Sequence, residues 1–184
     1  MGLSLITPAA TLPVSLAAVK VYCGVEDDSF DALLDQLRKS AVRAVEEVMG
    51  RSIGEQTWQL TLDQFSDAIE LERGPVLELV AGSFKYYNPA GALVAVPDET
   101  YSLDLVSDPA WIVRNDGASW PQTISGVNAV ELQFTAGWTE ALLPEPIREA
   151  VCMICAARFE DRTAKMPPAA LELIQPWRTM WVTA

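Results

Sequence analysis

The sequence predicts an α+β fold, a helical body built from the N- and C-terminal segments with an antiparallel β region inserted between them. Three observations carry this reading. Apolar residues recur at helical spacing before Gly50, the period switches to two from Gln56, and it returns to helical after Leu143-Pro-Glu-Pro146. The expected division is 1–54 and 143–184 for the helical body with its C-terminal tail, and 55–142 for the β region. A length of 184 residues is one domain, or one with a sizeable insertion, and is ample for a buried core.

The elements follow in order. Pro13-Val-Ser15 precedes a short helix, Leu16-Ala-Ala-Val-Lys-Val-Tyr22, with Ser15 as N-cap and Gly24 as its stop. The acidic run Glu26-Asp-Asp28 opens a longer helix, since negative charge suits the N-terminal end of the helix dipole. Phe30, Leu33, Leu34, Leu37, Ala41, Val45 and Val48 form its apolar stripe, Arg38, Lys39, Arg43, Glu46 and Glu47 are polar positions, and Gly50 closes it. Trp58, Leu60 and Leu62 then alternate with Thr57, Gln59 and Thr61 as a half-buried strand. Further strands are expected at 68–72, 76–87, 92–96, 101–106, 111–114 and 129–134. Turns at Arg73-Gly-Pro75, Asn88-Pro-Ala-Gly91, Ser107-Asp-Pro109 and Asn115-Asp-Gly117 separate several of them. Such strands form an antiparallel sheet or small sandwich. Ile147, Ala150, Val151, Ile154, Ala157 and Arg158 carry a helix to about Asp161, with prolines tolerated in its first turn. Pro167-Pro168 breaks the chain before a short helical piece, Ala169 to Ile174.

The chemistry available to this chain is narrow. It has no histidine, so Ser–His and Cys–His nucleophile systems are excluded and the usual general base and metal ligand is missing. Carboxylate-only catalysis of the glycosidase kind stays open in principle, but no Gly-rich phosphate loop, GxSxG or calcium loop is present. Cys152 and Cys155 spell CxxC, yet they lie within the apolar helical stretch Ala150-Val-Cys-Met-Ile-Cys-Ala-Ala157, and Cys23 stands alone. They read as buried thiols in a reducing compartment, with no metal site and no disulfide. Trp58, Trp111, Trp120 and Trp138 read as core and sheet-edge residues rather than a ligand cage. No cofactor, metal or catalytic residue is expected, and the chain is read as non-enzymatic. No apolar run approaches the ~20 residues of a membrane span, and the N-terminus lacks signal-peptide features, which predicts synthesis in the cytoplasm.

The net charge is −12, and it is unevenly spread: residues 55–145 carry 14 acidic against three basic side chains. A duplex-binding surface is basic, because affinity comes from neutralising phosphates. This chain is built the other way. The charge serves solubility, or a surface that faces DNA without holding it. The C-terminus, Gln175-Pro-Trp-Arg-Thr-Met-Trp-Val-Thr-Ala184, is unusually apolar for a chain end. Either it folds back onto the helices, or it docks on a partner through aromatic anchors.

An ordered set of motifs runs along the chain. Leu5-Ile-Thr-Pro8 and Pro13-Val-Ser-Leu-Ala-Ala-Val-Lys20 lead into Glu26-Asp-Asp-Ser-Phe-Asp-Ala-Leu-Leu34. Gly50-Arg-Ser-Ile53 then runs into Gln56-Thr-Trp-Gln-Leu-Thr-Leu-Asp63. The segment from Ile69 to Val76, Tyr101-Ser-Leu-Asp-Leu105 and Val130-Glu-Leu-Gln-Phe-Thr-Ala-Gly-Trp138 follow. Leu143-Pro-Glu-Pro-Ile-Arg-Glu-Ala150 opens the helix that ends near Arg158-Phe-Glu-Asp-Arg162. Over nearly its whole length the chain resembles the longer, β-containing members of the phage head–tail connector (adaptor) family, including adaptors of gene transfer agents. The resemblance implies a structural protein of the head–tail interface of a virion or phage-like particle. It would form a ring of itself, typically twelve copies, beneath the portal protein, extend the DNA channel, and offer a platform to the next tail or stopper component. DNA would pass without specific binding, repelled by some of the acids of 55–145. The helices around 28–49 and 144–161 would form the body, with the β insertion projecting from it. The C-terminal grip on the portal would fall to Trp177, Arg178, Met180, Trp181 and Val182. Deleting 176–184 is then expected to abolish assembly on the portal while leaving the domain folded. Two other readings are a different ring-forming tail component, a stopper or tail terminator, and a small carbohydrate-binding or carboxylate-enzyme domain.

Overall fold

A computed structural model describes residues 1–179 and has the α+β character expected. The chain divides into two compact units, a β unit of Met1–Ala10 with Glu55–Gly137 and a helical unit of Thr11–Gly54 with the segment from Trp138 onward.

The β unit is organised by two seven-residue strands of strict alternation, β2 (Gln56–Leu62) and β9 (Val130–Ala136). They pair antiparallel over their full length, with Trp58 opposite Phe134 and Leu60 opposite Leu132 on the buried face. Because the side-chain period is two, this register puts every apolar residue of both strands on one side. Around them lie β1 (Gly2–Thr7), β4 (Val76–Leu79), β5 (Lys85–Tyr87) and β6 (Leu93–Ala95). The sheet order is β1-β2-β9-β5-β6, and β4 also pairs with β9. A second sheet has the order β3-β8-β7, from β3 (Ala68–Leu71), β7 (Tyr101–Asp104) and β8 (Ala110–Arg114). Ile69, Leu71 and Ile112 of the small sheet share one core with Leu60, Leu132 and Phe134 of the large one. Phe65 closes that core, stacked on Trp120 with ring centroids 4.7 Å apart, while the Trp120 indole N–H donates to the Ser66 carbonyl at 2.8 Å.

In the helical unit, α1 (Leu16–Cys23) starts where Ser15 accepts the Ala18 N–H at 3.2 Å and stops at Gly24, whose left-handed φ of 67° suits a residue without Cβ. Lys20 reaches both Asp28 and Asp31 at 2.7 Å, which ties α1 to the start of α2 (Asp31–Met49). The acidic run Glu26–Asp28 therefore precedes that helix rather than opening it. Leu34, Ala41, Val45 and Met49 of α2 pack with Ile147, Ala150, Val151 and Ile154 of α3 (Glu145–Glu160), and with Ala170 and Ile174 of α4 (Pro168–Ile174). Arg38 and Arg148 donate to the carbonyls of Val14 and Pro13, at 2.9 and 3.0 Å, and fix the chain ahead of α1.

Several boundaries differ from the sequence reading, each for a local reason. Residues 1–10, placed there with the helices, pair with β2 through Leu3–Leu60 and Leu5–Trp58 and belong to the β unit. The expected strand at 76–87 is two strands, because the chain turns at Ala81-Gly82 with Gly82 at φ 68°. Trp138 forms a bridge with Gly54 and donates its N–H to Ile53, so 138–142 sit with the helices. Phe30 is 44% exposed, covered only edge-on by Phe159. Glu46, expected on the polar face of α2, is 5% exposed.

Candidate functional site

The C-terminal segment is built from the end of α2 outward. An α-helix leaves its last carbonyls without intrahelical partners. Gly50, at φ 70°, turns the chain so that its N–H and that of Arg51 both reach the Glu46 carbonyl, at 2.9 and 3.3 Å. The carbonyls beyond it are taken by residues some 130 positions later. Arg178 Nε donates to Val48 O at 3.1 Å, and the Thr179 N–H donates to Met49 O at 2.8 Å. Arg51 Nε donates in return to the Trp177 carbonyl at 2.6 Å.

Electrostatics point the same way. The last turn of α2 carries no basic residue of its own. Arg51 and Arg178 bring their cations to the negative end of its dipole, where positive charge is favoured. Beneath this contact Glu46 Oε1 accepts the Ile53 N–H at 2.8 Å, and Arg43 lies 3.3 Å from Oε2. The buried carboxylate thus fixes the turn that presents Arg51.

Trp177, at the end of a 3-10 turn (Gln175–Trp177), is half-buried against the helical core and meets Trp138 edge to face at 6.5 Å. Of the residues expected to grip a partner, Trp177 and Arg178 are therefore brought together on the end of α2. Met180, Trp181 and Val182 lie outside the described residues. Through Thr179 the segment folds back onto its own helices, one of the two alternatives open from sequence. Arg51 and the carbonyls of Val48 and Met49 were missed by the sequence reading. The signal available was a long helix with no cation in its last turn and an arginine directly after its closing glycine.

The remaining chemistry-bearing groups sit as follows. Cys152 and Cys155 are buried, and burial pushes their thiols up to about 11 and about 12. Cys23 is raised as well, chiefly by desolvation. Thiols of this kind carry little thiolate at neutral pH. Among the described residues no three His, Cys, Asp or Glu side chains are grouped so as to hold a metal ion. No described helix is long and apolar enough to cross a membrane. Trp58 is buried with Arg73 over its ring at 5.3 Å, and one face of Trp120 is taken by Phe65.

In the β unit, Asp63, Asp67, Glu78, Asp98, Glu99, Asp108 and Asp116 are all exposed. Of its three cations, Arg114 is held 3.0 Å from Asp67 and Arg73 lies over Trp58.

No protein-family model matches the chain, and no curated protein is significantly similar to it in sequence. Solved structures are similar. A chain in the neck of an empty gene transfer agent (GTA) particle, computed with sixfold symmetry, matches with a TM-score of 0.80 at 23% identity, covering 99% of this chain and 97% of that one. A chain in the virion of a native gene transfer agent particle matches at 0.77 and 24% identity, with the same coverage. A chain in the neck of the native particle, computed with twelvefold symmetry, matches at 0.73 and 25% identity, again over 99% and 97%. Along nearly its whole length, then, this chain has the fold of chains found in the necks and virions of gene transfer agent particles.

Proposed function

We propose that this chain is a structural head–tail connector, an adaptor of a tailed phage or gene transfer agent, located at the head–tail interface of the particle. The observation that carries the reading is the fold match end to end, in both directions of coverage, to chains of particle necks. It agrees with the order of motifs along the sequence.

The protein works by assembly rather than catalysis. Copies form a ring, twelve on the portal, that extends the DNA channel and presents a surface to the next tail or stopper component. Carboxylates of the β unit turned toward the lumen repel the phosphate backbone, so DNA slides without being held. The C-terminal segment, anchored on the end of α2 through Arg178 and Thr179, delivers Met180, Trp181 and Val182 to the portal. Trp177 and Arg178 hold the base of that segment against the helices. The helices form the body of the ring, and the β region is its insertion.

The test is to mix the purified chain with the portal protein of the same particle and image the product by electron microscopy. A ring stacked on the portal is the expected result. A folded monomer that never joins the portal would move the assignment to another ring of the tail.

A further inference from the structure

The main sheet of the β unit ends in two strands unlike every other edge in the molecule. Open edges invite pairing with another chain, and proteins usually blunt them with charge. The small sheet obeys this rule, with Glu70 in the edge strand β3 and Asp104 in the edge strand β7, and so does β4, which carries Glu78. The two ends of the main sheet do not. No charged side chain occurs from Met1 to Val19, which includes β1, or from Tyr86 to Pro97, which includes β6. This is notable in a unit of 12 acidic and three basic side chains. Copies of such a unit repel one another, and they can approach closely only where carboxylates are missing.

Both edges are also open. Gly2, Ser4, Ile6 and Thr7 are exposed along β1, and Leu93, Val94 and Ala95 are all exposed in β6. In β6 the Ala92 carbonyl and the Val96 N–H are used toward β5, at 2.9 Å each. By the alternation of an antiparallel ladder, Leu93 and Ala95 turn their backbone groups away from it. Val94 belongs to the buried face, opposite Tyr86 and in line with Val130, yet is 39% exposed because the sheet stops there.

We propose that neighbouring copies in the ring continue one another's main sheet, β6 of one copy lying alongside β1 of the next. The inference rests on the ring reading above and names the contact that closes it. Two different edges joined head to tail make a heterologous contact, the kind that generates closed rings, whereas β1 against β1 would make a two-fold pair. The strand directions fix its geometry. Every neighbour in β1-β2-β9-β5-β6 is antiparallel, so β1 and β6 run the same way, and a rotation that relates copies leaves the junction parallel. A parallel pairing with a three-residue strand is weak by itself. The joint therefore forms when another surface already holds the copies side by side.

The test uses the full chain assembled on the portal. Ser4 and Ala95 share the outward face of the sheet, through Gln59, Gln133, Glu131 and Lys85, whereas Val94 is on the opposite face. After mild oxidation a Ser4→Cys/Ala95→Cys double variant is expected to give a ladder of linked copies on a non-reducing gel. Ser4→Cys/Val94→Cys and the native chain are expected to give none. Leu93→Pro, which removes an outward N–H and no ladder bond, is expected to lower ring occupancy at least ten-fold with an unchanged circular dichroism spectrum. Rings seen by microscopy without the Ser4–Ala95 ladder would overturn the edge contact while leaving the adaptor role standing. Failure of the native chain to form any ring would sink both.

Discussion

Glu46 shows how one side chain joins secondary structure to a site. Its carbonyl receives two N–H groups at the end of α2, and its carboxylate receives a third, from Ile53 at 2.8 Å. Glu46→Ala would leave that buried donor without this acceptor, which costs about 1–3 kcal/mol. The expected result is a lower urea midpoint with an unchanged slope, largely restored by Glu46→Gln. The position was legible in principle, since 46 lies on the stripe with Val42 and Met49, four residues before and three after it. The residue type suggested the polar face, and a carboxylate's hydrogen-bond partner across a turn is invisible to periodicity. Cys152 and Cys155 are buried as read, because a thiol inside an apolar helical run has nowhere to go but the core. Cys23, read the same way, ends α1 and is only partly buried. The titration of Cys152 and Cys155 gives a pH dependence of definite sign. In the unfolded chain they ionise near 9.0, and in the folded one at about 11 and about 12. The stability they contribute is complete below pH 9 and is lost as pH rises through that window. Thermal melts between pH 8 and pH 11.5 should fall more steeply for the native chain than for Cys152→Ala/Cys155→Ala.

At the scale of elements, the helices were legible because caps and stripes are local signals, as with Ser15 and Gly24 around α1. Strand β1 was not, although Leu3 and Leu5 alternate with Ser4. Six residues without a hairpin turn do not announce a partner some fifty positions away. The tail divides in the same manner. Its fold-back rests on long-range bonds from Arg178 and Thr179 that no sequence window contains, so two truncations separate its roles. Deleting 180–184 leaves those bonds in place and is expected to remove portal assembly with stability unchanged. Deleting 176–184 also strips Trp177 from the helical core, and should cost a further ~3 kcal/mol from lost burial and hydrogen bonds. Chemical denaturation of both variants checks this, and equal stability of the two would show that the fold-back contributes nothing.

For the molecule as a whole, the asymmetry of charge was plain from the sequence and survives folding as an acidic β unit. The fold class was equally plain, since a period that switches twice allows few other architectures. What could not be read was which edges of the sheet stay open, because pairing order follows from long-range register. The charge carries a prediction about assembly. Copies of an acidic unit repel through solvent, and the screening length falls from about 30 Å at 0.01 M salt to about 8 Å at 0.15 M. Ring formation on the portal, followed by light scattering or microscopy, should therefore strengthen as salt rises across that range. Weakening instead would mean that opposite charges hold the copies together.

The placement of β1 also sets a timetable. Gly2–Thr7 are made well before the strands that hold them, since β2 begins only at Gln56 and its other neighbour, β9, ends at Ala136. The helical unit in turn waits for α3 and α4, the last of which ends at Ile174. Neither unit can finish early, so the nascent protein carries β1, a strand without charged side chains, in an incomplete sheet until β9 has been made. Residues made early are thus among the last to settle, and chaperones that shield exposed strands would find their target in β1.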